Sequence, residues 1–393
     1  MAGPIDLAAA RRNLLAALPT CPGAALSVPC AQALGAVLAE PVLAPGDLPD
    51  FDRSLVDGFA VRCADGPRLR LAAGVAMGRP AGPLAPGTAV PVPTGGMIPA
   101  GADAMVMKED AVVDAGVVGV RRAATAGDHV VRRGADARAG ALLLPAGRRL
   151  RPSELALLAS AGVASVRVRP RPRIAVLSTG DELVPAGVVP EPGQVPDSNG
   201  PALCAALARD GAAPEFLGIV PDVRAALVAA VRRGLAADAL LCSGGSSVGE
   251  HDFVQGVLEE VLGVPPLFSG ISIRPGRPTA AFVSGVRWAV ALPGHAVSAL
   301  VVYDLILREA VRRFAGEDSP APRGFVEARL AARVVAPPDR DLYERVRLED
   351  RVAVPLRGAS ATVGNLARAD ALVCCPAGQV LEAGSVVAAA PLD

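Results

Sequence analysis

Apolar residues recur at helical spacing in three stretches of the chain before residue 170. The first covers residues 7–18, where Asp6 can cap a helix and Pro19 ends it. The other two cover roughly residues 30–39 and 150–161. Because apolar residues three and four positions apart share one face of a helix, we predict that all three stretches are amphipathic helices.

Residues 41–132 have a different pattern, in which Pro and Gly become dense and short strand-like runs lie between them. The runs at residues 56–62, 104–108 and 112–120 are rich in apolar residues and bounded by turn signals. Strands of this length between turns indicate a small β domain. Since helical stretches precede and follow it, we predict that this β domain is inserted into a helical part.

From residue 171 the pattern alternates between strand-like and helix-like segments. In order, they are residues 174–177, 201–209, 216–220, 223–232, 239–242, 252–261, 288–292 and 296–314. Such alternation is typical of a doubly wound, parallel α/β sheet, in which ligands bind beyond the carboxyl ends of the strands. After Ser319-Pro320-Ala321-Pro322 the chain returns to short strands, which indicates a small terminal barrel or sandwich.

Composition limits the classes of function. Lys+Arg and Asp+Glu each number 39, the net charge is +0, and aromatic residues make up 3% of the chain. Without a basic surplus or stacking aromatics, we expect no nucleic-acid partner. No apolar run is long enough for a membrane span, so we expect no membrane association. The seven cysteines form no C-x-x-C pair and the N-terminus shows no signal peptide, which predicts a cytoplasmic protein.

Three loops follow predicted strands directly and carry small or polar residues. They are Ser178-Thr179-Gly180-Asp181-Glu182, Ser243-Gly244-Gly245-Ser246-Ser247-Val248-Gly249-Glu250-His251-Asp252, and Pro293-Gly294-His295-Ala296-Val297-Ser298. Gly and Ser loops ahead of helices suit a phosphate or another oxyanion, because backbone N–H groups and hydroxyls can point at it. A carboxylate beside an anion favours a bound Mg²⁺, so Glu182 and Asp252 are candidate metal ligands.

A Pro-Gly turn, Arg274-Pro275-Gly276-Arg277-Pro278, adds two guanidinium groups. Arginine forks match tetrahedral oxyanions, so the pair can receive phosphate or an inorganic oxoanion, with an ordinary solvated loop as the alternative. Other polar residues look unexceptional when taken alone. Turn, strand-end or cap positions explain Asp57, Thr94, Asp136 and Asp222.

Taken together, these motifs resemble the MoeA family of molybdopterin molybdenumtransferases, to which the E domain of gephyrin is related. The matching stretches run nearly end to end: Pro49-Asp50-Phe51-Asp52, Val56-Asp57-Gly58-Phe59-Ala60-Val61, Thr94-Gly95, Pro99-Ala100-Gly101-Ala102-Asp103-Ala104, Arg132-Arg133-Gly134-Ala135-Asp136, Pro196-Asp197-Ser198-Asn199, Leu292-Pro293-Gly294, the first two strand-end loops above, and the arginine turn. This chain departs from the family at three places. Arg274 and Arg277 replace two lysines, His295-Ala296 replaces Asn-Pro, and Arg53 replaces an asparagine.

The resemblance implies a multidomain protein with α/β and β parts, assembled as an elongated homodimer. In the family, the α/β domain of one subunit faces the inserted β domain of the other. The implied parts are a helical linker domain at residues 1–42 and 133–168, an inserted β domain at 43–132, a doubly wound α/β molybdopterin-binding domain at 169–316, and a C-terminal β-barrel domain at 317–393.

The reaction that the resemblance implies converts adenylylated molybdopterin and molybdate into molybdenum cofactor and AMP, with Mg²⁺ as cofactor. It assigns Asp57, Asp136, Glu182, Asp222 and Asp252 to the catalytic site, with Glu182 and Asp252 as ligands of the metal. The implied substrate-binding residues are Thr94, Ser178, Thr179, Gly180, Asp181, Ser243, Gly244, Gly245, Ser246, Ser247, Gly249, Arg274, Pro275, Gly276, Arg277, Pro293, Gly294 and Ser298. Molybdopterin adenylyltransferase and molybdenum-enzyme apoproteins or their chaperones are the implied partners.

Two alternative functions remain open at this point. A molybdopterin adenylyltransferase shares the α/β domain, but such proteins are shorter and lack the Asp57 motif and the β parts. The other alternative is a non-catalytic scaffold, since the gephyrin E domain also clusters membrane receptors. The intact set of carboxylates favours catalysis over a scaffold.

Overall fold

A computed structural model describes residues 3–19, 23–244, 253–318, 324–358 and 362–392. Within these residues the strands form three six-stranded sheets and several two-stranded pairs. The described part contains no helix that combines the length and apolar character needed to cross a bilayer.

The N-terminal segment contains one α-helix and two short strands, namely α1 (Leu7–Ala17), β1 (Leu26–Pro29) and β2 (Val42–Leu43). The predicted cap of α1 is confirmed, because the Asp6 carboxylate accepts a hydrogen bond from Ala9 N at 2.7 Å. Ala10 and Leu14 of α1 are buried in the core of the later α/β part.

The prediction of a helix over residues 30–39 is wrong. The stretch holds a short 3₁₀ turn, Cys30–Gln32, then a turn at residues 34–35 and two isolated bridge residues. Val37 and Leu38 form β-bridges to Arg149 and Val168. Pairing with distant backbone has therefore overridden a local helical pattern.

The inserted β part contains eight strands. They are β3 (Arg53–Ser54), β4 (Gly58–Val61), β5 (Arg68–Leu71), β6 (Thr88–Val92), β7 (Ala104–Met107), β8 (Ala111–Asp114), β9 (Val117–Val120) and β10 (Val130–Val131). Six of them form one sheet in the order β7-β4-β6-β5-β9-β8, and β3 pairs with β10. Apolar clusters around Met105 and Val106 bury the two sides of this sheet.

The chain then returns to the first part through β11 (Leu142–Leu144), α2 (Pro152–Ser160) and β12 (Ser165–Val168). β11 pairs with β2, and β12 pairs with β1. These two pairings join the segments on either side of the β part, so that part is an insertion between paired strands. A separate apolar cluster around Leu38 and Leu158 fills the space between them.

The central α/β part confirms the predicted alternation of strands and helices. Its elements are β13 (Arg173–Thr179), β14 (Leu183–Val184), β15 (Val195–Pro196), α3 (Asn199–Arg209), β16 (Ala213–Val220), α4 (Arg224–Gly234), β17 (Ala239–Gly244), α5 (Phe253–Leu262), β18 (Phe268–Ser269), β19 (Ile273–Arg274), β20 (Ala280–Ser284), β21 (Arg287–Leu292), α6 (Ala296–Val302) and α7 (Arg308–Phe314). The sheet order is β16-β13-β17-β21-β20-β18. The first four strands are parallel, as predicted, and β20 and β18 add an antiparallel edge.

Helices α6 and α7 are joined without a break by a π-helical turn, Tyr303–Leu307, so the predicted helix over residues 296–314 is present as one bent run. The turn includes Tyr303, whose hydroxyl donates a hydrogen bond to Asp210 at 3.0 Å. Both side chains are buried, and this contact ties the end of α3 to the long helix.

The C-terminal part is a closed barrel. Its elements are β22 (Val326–Leu330), β23 (Val334–Val335), β24 (Asp341–Glu349), β25 (Val352–Pro355), α8 (Val363–Ala367), β26 (Ala371–Cys375), β27 (Val380–Leu381) and β28 (Val386–Pro391). Five strands close the ring in the order β24-β25-β22-β28-β26, because β26 pairs back to β24. β19 of the α/β part pairs in parallel with β24, so a strand pairing joins the two parts.

A buried ionic cluster joins the first part of the chain to the end of α7. Glu317 accepts hydrogen bonds from Arg149 Nε at 3.0 Å and from Arg312 Nη2 at 2.6 Å. Arg149 also donates to the carbonyl oxygen of Asp210 at 2.6 Å. Burial alone would raise the pKa of Glu317, but Arg312 and Arg149 hold it below its usual value. The ionised carboxylate therefore contributes to the stability of this junction.

Glu317→Gln tests this contribution. The variant leaves two mostly buried guanidinium groups without their counter-charge, so we expect a loss of about 3 kcal/mol and a lower midpoint in differential scanning calorimetry. A carboxyl group with a lowered folded pKa stabilises above its unfolded pKa, and the effect disappears as pH falls through the folded pKa. The difference between variant and wild type should therefore shrink at acidic pH.

Glu382→Gln is the matched control, because Glu382 pairs with Arg333 at 3.4 Å on an exposed surface. We expect it to cost less than about 1 kcal/mol. Equal midpoints for Glu317→Gln and Glu382→Gln at neutral pH would contradict a stabilising role for the cluster.

Candidate functional site

The registers of three parallel strands bring two of the predicted loops and the start of a third to one level. Ser178 of β13 lies opposite Ser243 of β17, and Ser243 lies opposite Leu292 of β21. Gly244 follows the same register, opposite Thr179, with a φ of 126°. A Cβ atom at Gly244 would lie 2.0 Å from the Thr179 carbonyl oxygen, so this close approach requires glycine. The loops therefore leave the sheet side by side at its carboxyl edge.

The loop after β13 and the loop after β16 are tied together by carboxylates. Thr179 Oγ1 donates to Asp222 Oδ1 at 2.6 Å, and Asp222 N donates to Asp181 Oδ1 at 3.0 Å. Asp181, Glu182 and Asp222 are exposed, whereas Thr179 is buried. The predicted residues of these two loops are thus hydrogen-bonded to each other. Their exposed carboxylates present oxygen atoms that can coordinate a metal ion.

Asn199, to which the sequence interpretation gave no role, connects the other two loops. Its Nδ2 donates to Ser243 Oγ at 2.5 Å and to the Gly294 carbonyl oxygen at 2.7 Å. Ser243 Oγ in turn donates to the Pro293 carbonyl oxygen at 3.3 Å. The available signal was its position at the start of α3, two residues after Asp197 in a motif shared with the family.

Several buried polar atoms around this junction lack a hydrogen-bond partner among the described residues. They are Ser178 Oγ, Asp197 Oδ2 and Asn199 Oδ1. Buried polar groups in folded proteins normally have partners, so such atoms mark places where water or a polar ligand completes the bonding. This edge of the sheet therefore has the character of a binding site.

Part of the predicted site lies outside the described residues, namely Gly245, Ser246, Ser247, Gly249 and Asp252. Within the described part there is no group of three or more His, Cys, Asp or Glu side chains arranged for a metal ion. Mg²⁺ commonly uses one or two protein carboxylates and completes its shell with phosphate and water. The carboxylate oxygens of Asp181, Glu182 and Asp222 are of the kind that coordinates Mg²⁺.

The arginine turn lies in a cavity of about 910 Å³ between the α/β part and the barrel. Gly276 packs the turn onto α6, since a Cβ atom there would lie 2.4 Å from Val302 Cγ2. Pro275, Pro293 and Ser298 also line the cavity, which joins it to the loop after β21. Six arginines surround it: Arg274, Arg277, Arg333, Arg340, Arg345 and Arg357.

Arg345, which the sequence interpretation missed, is the most deeply buried of these cations at 6% exposure. Its Nη2 donates to the Gly358 carbonyl oxygen at 2.8 Å, whereas its Nε and Nη1 have no partner within the described part of the chain. A buried guanidinium with free donors favours an anion in the cavity. Because side chains alternate along a strand, Arg345 belongs to the outer face of the barrel. Helix α6 covers that face, where Val297 and Val301 pack against Leu372.

The other cavity arginines differ in how they are paired. Asp339 lies 2.8 Å from Arg340 and 3.5 Å from Arg277. Arg333 pairs with an exposed glutamate. No ion pair within 4 Å is found for Arg274 or Arg345 among the described residues, although the Glu344 carboxyl group interacts with both electrostatically. The cavity therefore keeps a positive surplus for an anionic ligand.

Asp57 lies at one end of the inserted sheet, where β7, β4 and β6 are neighbours. Its Oδ1 accepts hydrogen bonds from Thr94 N at 2.8 Å and Thr94 Oγ1 at 3.0 Å. Lys108 Nζ lies 3.7 Å from Asp57 Oδ2. The two bonds from Thr94, together with the Lys108 charge, lower the pKa of Asp57. Asp57 Oδ2 is thus an ionised, exposed acceptor.

Asp136 belongs to a separate place in the chain. Its backbone N donates to the Leu48 carbonyl oxygen at 2.9 Å, and the residue is exposed. No hydrogen bond or ion pair between described residues joins Asp57, Thr94 or Asp136 to the loops of the α/β part. Within one chain, Asp57 and Thr94 therefore form a group of their own, and Asp136 is bonded to neither that group nor the α/β loops.

Comparison with known proteins matches three family models to this chain. A model described as the MoeA N-terminal region (domain I and II) matches residues 5–162. A probable molybdopterin binding domain matches residues 175–313, and a MoeA C-terminal region (domain IV) matches residues 327–392.

Individual relatives agree with these matches. The chain is similar to a molybdopterin molybdenumtransferase of Synechococcus elongatus, with 32% identity over 98% of both chains. A molybdopterin molybdenumtransferase of a Nostoc species is 33% identical, covering 88% of this chain and 83% of the relative. A solved molybdopterin biosynthesis MoeA protein from Pyrococcus horikoshii superposes with a TM-score of 0.80 at 32% identity, covering 99% of each chain.

Thr94→Val tests the hydrogen bonding of Asp57. Removing the hydroxyl should raise the pKa of Asp57 towards its ordinary value, since one donor to the ionised form is lost. Selective ¹³C labelling of aspartate carboxyl groups and an NMR titration measure the change. Thr125→Val, an exposed threonine of the same part, is the control and should leave the pKa of Asp57 where it is. An unchanged pKa in Thr94→Val would contradict the arrangement.

Proposed function

The chain belongs to the MoeA family and functions in molybdenum cofactor biosynthesis, and on that premise we propose that it transfers molybdenum from molybdate to adenylylated molybdopterin with release of AMP. The observation that carries this proposal is the buried Arg345 guanidinium in an arginine-lined cavity, where two of its nitrogen atoms have no hydrogen-bond partner among the described residues. That cavity adjoins the strand-end loops through Pro293 and Ser298. An oxoanion held there would lie beside the substrate that those loops bind.

The cavity would receive molybdate. Guanidinium groups match tetrahedral oxoanions in shape and charge, and a partly desolvated cavity strengthens the attraction. Arg274 and Arg345 would make the main contacts, because both line the cavity and neither forms an ion pair within 4 Å among the described residues. The arginines that share Asp339 would contribute to the field around the cavity.

The carboxyl edge of the sheet would bind the phosphate and pterin of the substrate. Backbone N–H groups and hydroxyls of the loops after β13, β17 and β21 can donate to phosphate oxygens. Asn199 Oδ1 and Asp197 Oδ2 are buried acceptors that can receive N–H groups of a pterin. The edge thus offers both donors for the anionic end and acceptors for the heterocycle.

A metal ion fits at the acidic turn beside this edge. Glu182 and Asp252 would hold Mg²⁺, which when bound would neutralise charge on the phosphoric anhydride as AMP leaves. Thr179 holds Asp222 in place through its 2.6 Å hydrogen bond. Asp222 can then orient the substrate or a water molecule without itself moving.

Asp57 and Thr94 would act from a second copy of the chain. The described contacts leave them apart from the α/β loops, and Asp57 Oδ2 is ionised and exposed. A homodimer that brings the inserted part of one subunit to the α/β part of the other would complete the site. The expected protein partners are an adenylyltransferase that supplies the substrate and the molybdenum enzymes or chaperones that receive the product.

A cytoplasmic location follows as part of the proposal. The cysteines within the described residues are free, which suits a reducing compartment.

Purified protein incubated with adenylylated molybdopterin, Mg²⁺ and molybdate should release AMP and form molybdenum cofactor. Asp57→Ala and Glu182→Ala should lower turnover by about 100-fold or more while the dimer persists in light scattering, because each removes a site carboxylate. Asp114→Ala and Glu191→Ala remove exposed carboxylates elsewhere in the same two parts and should keep wild-type rates. Absence of AMP release with wild-type protein would overturn the proposal.

Mixed dimers test whether the site spans two subunits. Asp57→Asn and Glu182→Gln chains, each inactive alone, should regain about a quarter of the wild-type rate after co-expression. The reason is that random pairing makes half of the dimers mixed, and each mixed dimer has one intact site. A site built within one chain would show no recovery.

A further inference from the structure

Glu344 is an unexpected residue in the arginine-lined cavity. Among the described residues that line the cavity it is the only carboxylate, against six guanidinium groups. It lies on β24 directly before Arg345, the most deeply buried of those cations. A carboxylate in a cavity that attracts anions needs a chemical reason, because an ionised form would repel the ligand.

Hydrogen bonding does not explain why a carboxylate lies at this position. Among the described residues, the buried Oε1 of Glu344 has no hydrogen-bond partner, although arginines line the cavity. The Nε and Nη1 of Arg345, the next residue of β24, have none there either. One unpartnered acceptor and two unpartnered donors therefore belong to successive residues that line the same cavity, and an anion bound there has to be compatible with all three.

The hydrogen-bonding groups of an oxoanion limit how it can contact a carboxylate. Every oxygen of a fully ionised oxoanion such as molybdate is an acceptor, and so is every oxygen of an ionised carboxylate. Two acceptors form a hydrogen bond only when one of them carries a proton. At neutral pH molybdate brings no proton, so the proton must reside on the carboxyl group.

We propose that Glu344 takes up one proton when an oxoanion binds in the cavity, and that its carboxylic acid then donates a hydrogen bond to the anion. No bond other than this O–H bond forms or breaks, and the proton comes from solvent. The inference rests on the proposed function, because that function assigns oxoanion binding to this cavity. It makes Glu344 a residue that sets the strength and pH dependence of binding.

The surroundings of Glu344 agree with this role. Burial raises the pKa of Glu344, although Arg345, Arg357 and Arg274 act in the opposite direction. A carboxyl group that is already inclined to hold a proton needs little further shift when an anion arrives. The other titratable or charged side chains that line the same cavity are Arg277, Arg333, Arg340, His295 and Tyr343.

The coupling between anion binding and protonation of Glu344 predicts the direction in which the Kd changes with pH. Anion binding would raise the pKa of Glu344 above its value in the free protein. Binding is then strongest when the free protein already carries the proton, and it weakens as pH rises through the pKa of the free form. Above that pKa, the Kd should rise by up to about tenfold per pH unit.

Isothermal titration calorimetry with sodium molybdate and the full-length protein measures both the Kd and the protons exchanged. Titrations between pH 6 and 9, each in two buffers of different ionisation enthalpy, should show uptake that approaches one proton for the wild type at the alkaline end. Glu344→Gln keeps the shape of the side chain and offers amide N–H donors. It should bind molybdate with a Kd that varies little with pH and with no proton uptake.

His295→Gln is the matched control, because His295 is another side chain of the same cavity that can bind a proton. It should retain the proton uptake of the wild type. Sulfate, another fully ionised tetrahedral anion, should show the same coupling, whereas monohydrogen phosphate brings its own proton and should show less.

Three outcomes would overturn the proposal. Proton uptake that survives in Glu344→Gln, or that disappears in His295→Gln, would assign the coupling to another group. Tight, pH-independent binding to wild type, together with normal AMP release, would refute the role of Glu344 and leave the proposed function standing. Absence of molybdate binding would refute both the role of Glu344 and the assignment of the cavity.

Discussion

The parallel register of β13, β17 and β21 is the constraint on which the rest of the site depends. Since Ser178, Ser243 and Leu292 lie at one level, the segments that follow them leave the sheet at the same edge. Asn199 can then reach both Ser243 and Gly294 with one amide group. A shift of any strand by one residue would turn these side chains to the opposite faces and break that connection.

The pairing of β19 with β24 is the second constraint on the site. It carries the arginine turn away from its own sheet and attaches it to the barrel. The cavity forms in the space between, with α6 on one side and the outer face of the barrel on the other. Because the Arg345 side chain is itself buried, its charge acts in surroundings of lower dielectric constant than bulk solvent.

Much of the fold is readable from local patterns, since strands and helices of the α/β part alternate with clear apolar periodicity. Local patterns fail where distant backbone decides the outcome, as at Val37 and Leu38. Long-range placement also hid two site residues. Asn199 lies just before the predicted helix at residues 201–209, and no pattern in the sequence singled out Arg345 among the many arginines. Only the packing of one part against another gives these two side chains their buried partners or their lack of partners.

Lys108 is the only lysine in the chain, and its amine lies 3.7 Å from the Asp57 carboxylate. Apart from the N-terminal amine, acylating reagents therefore have a single point of attachment. A fluorophore or cross-linker placed there would sit beside Asp57, at one end of the inserted sheet. The shortage of lysine thus provides a built-in probe position from which the approach of a second chain can be followed in solution.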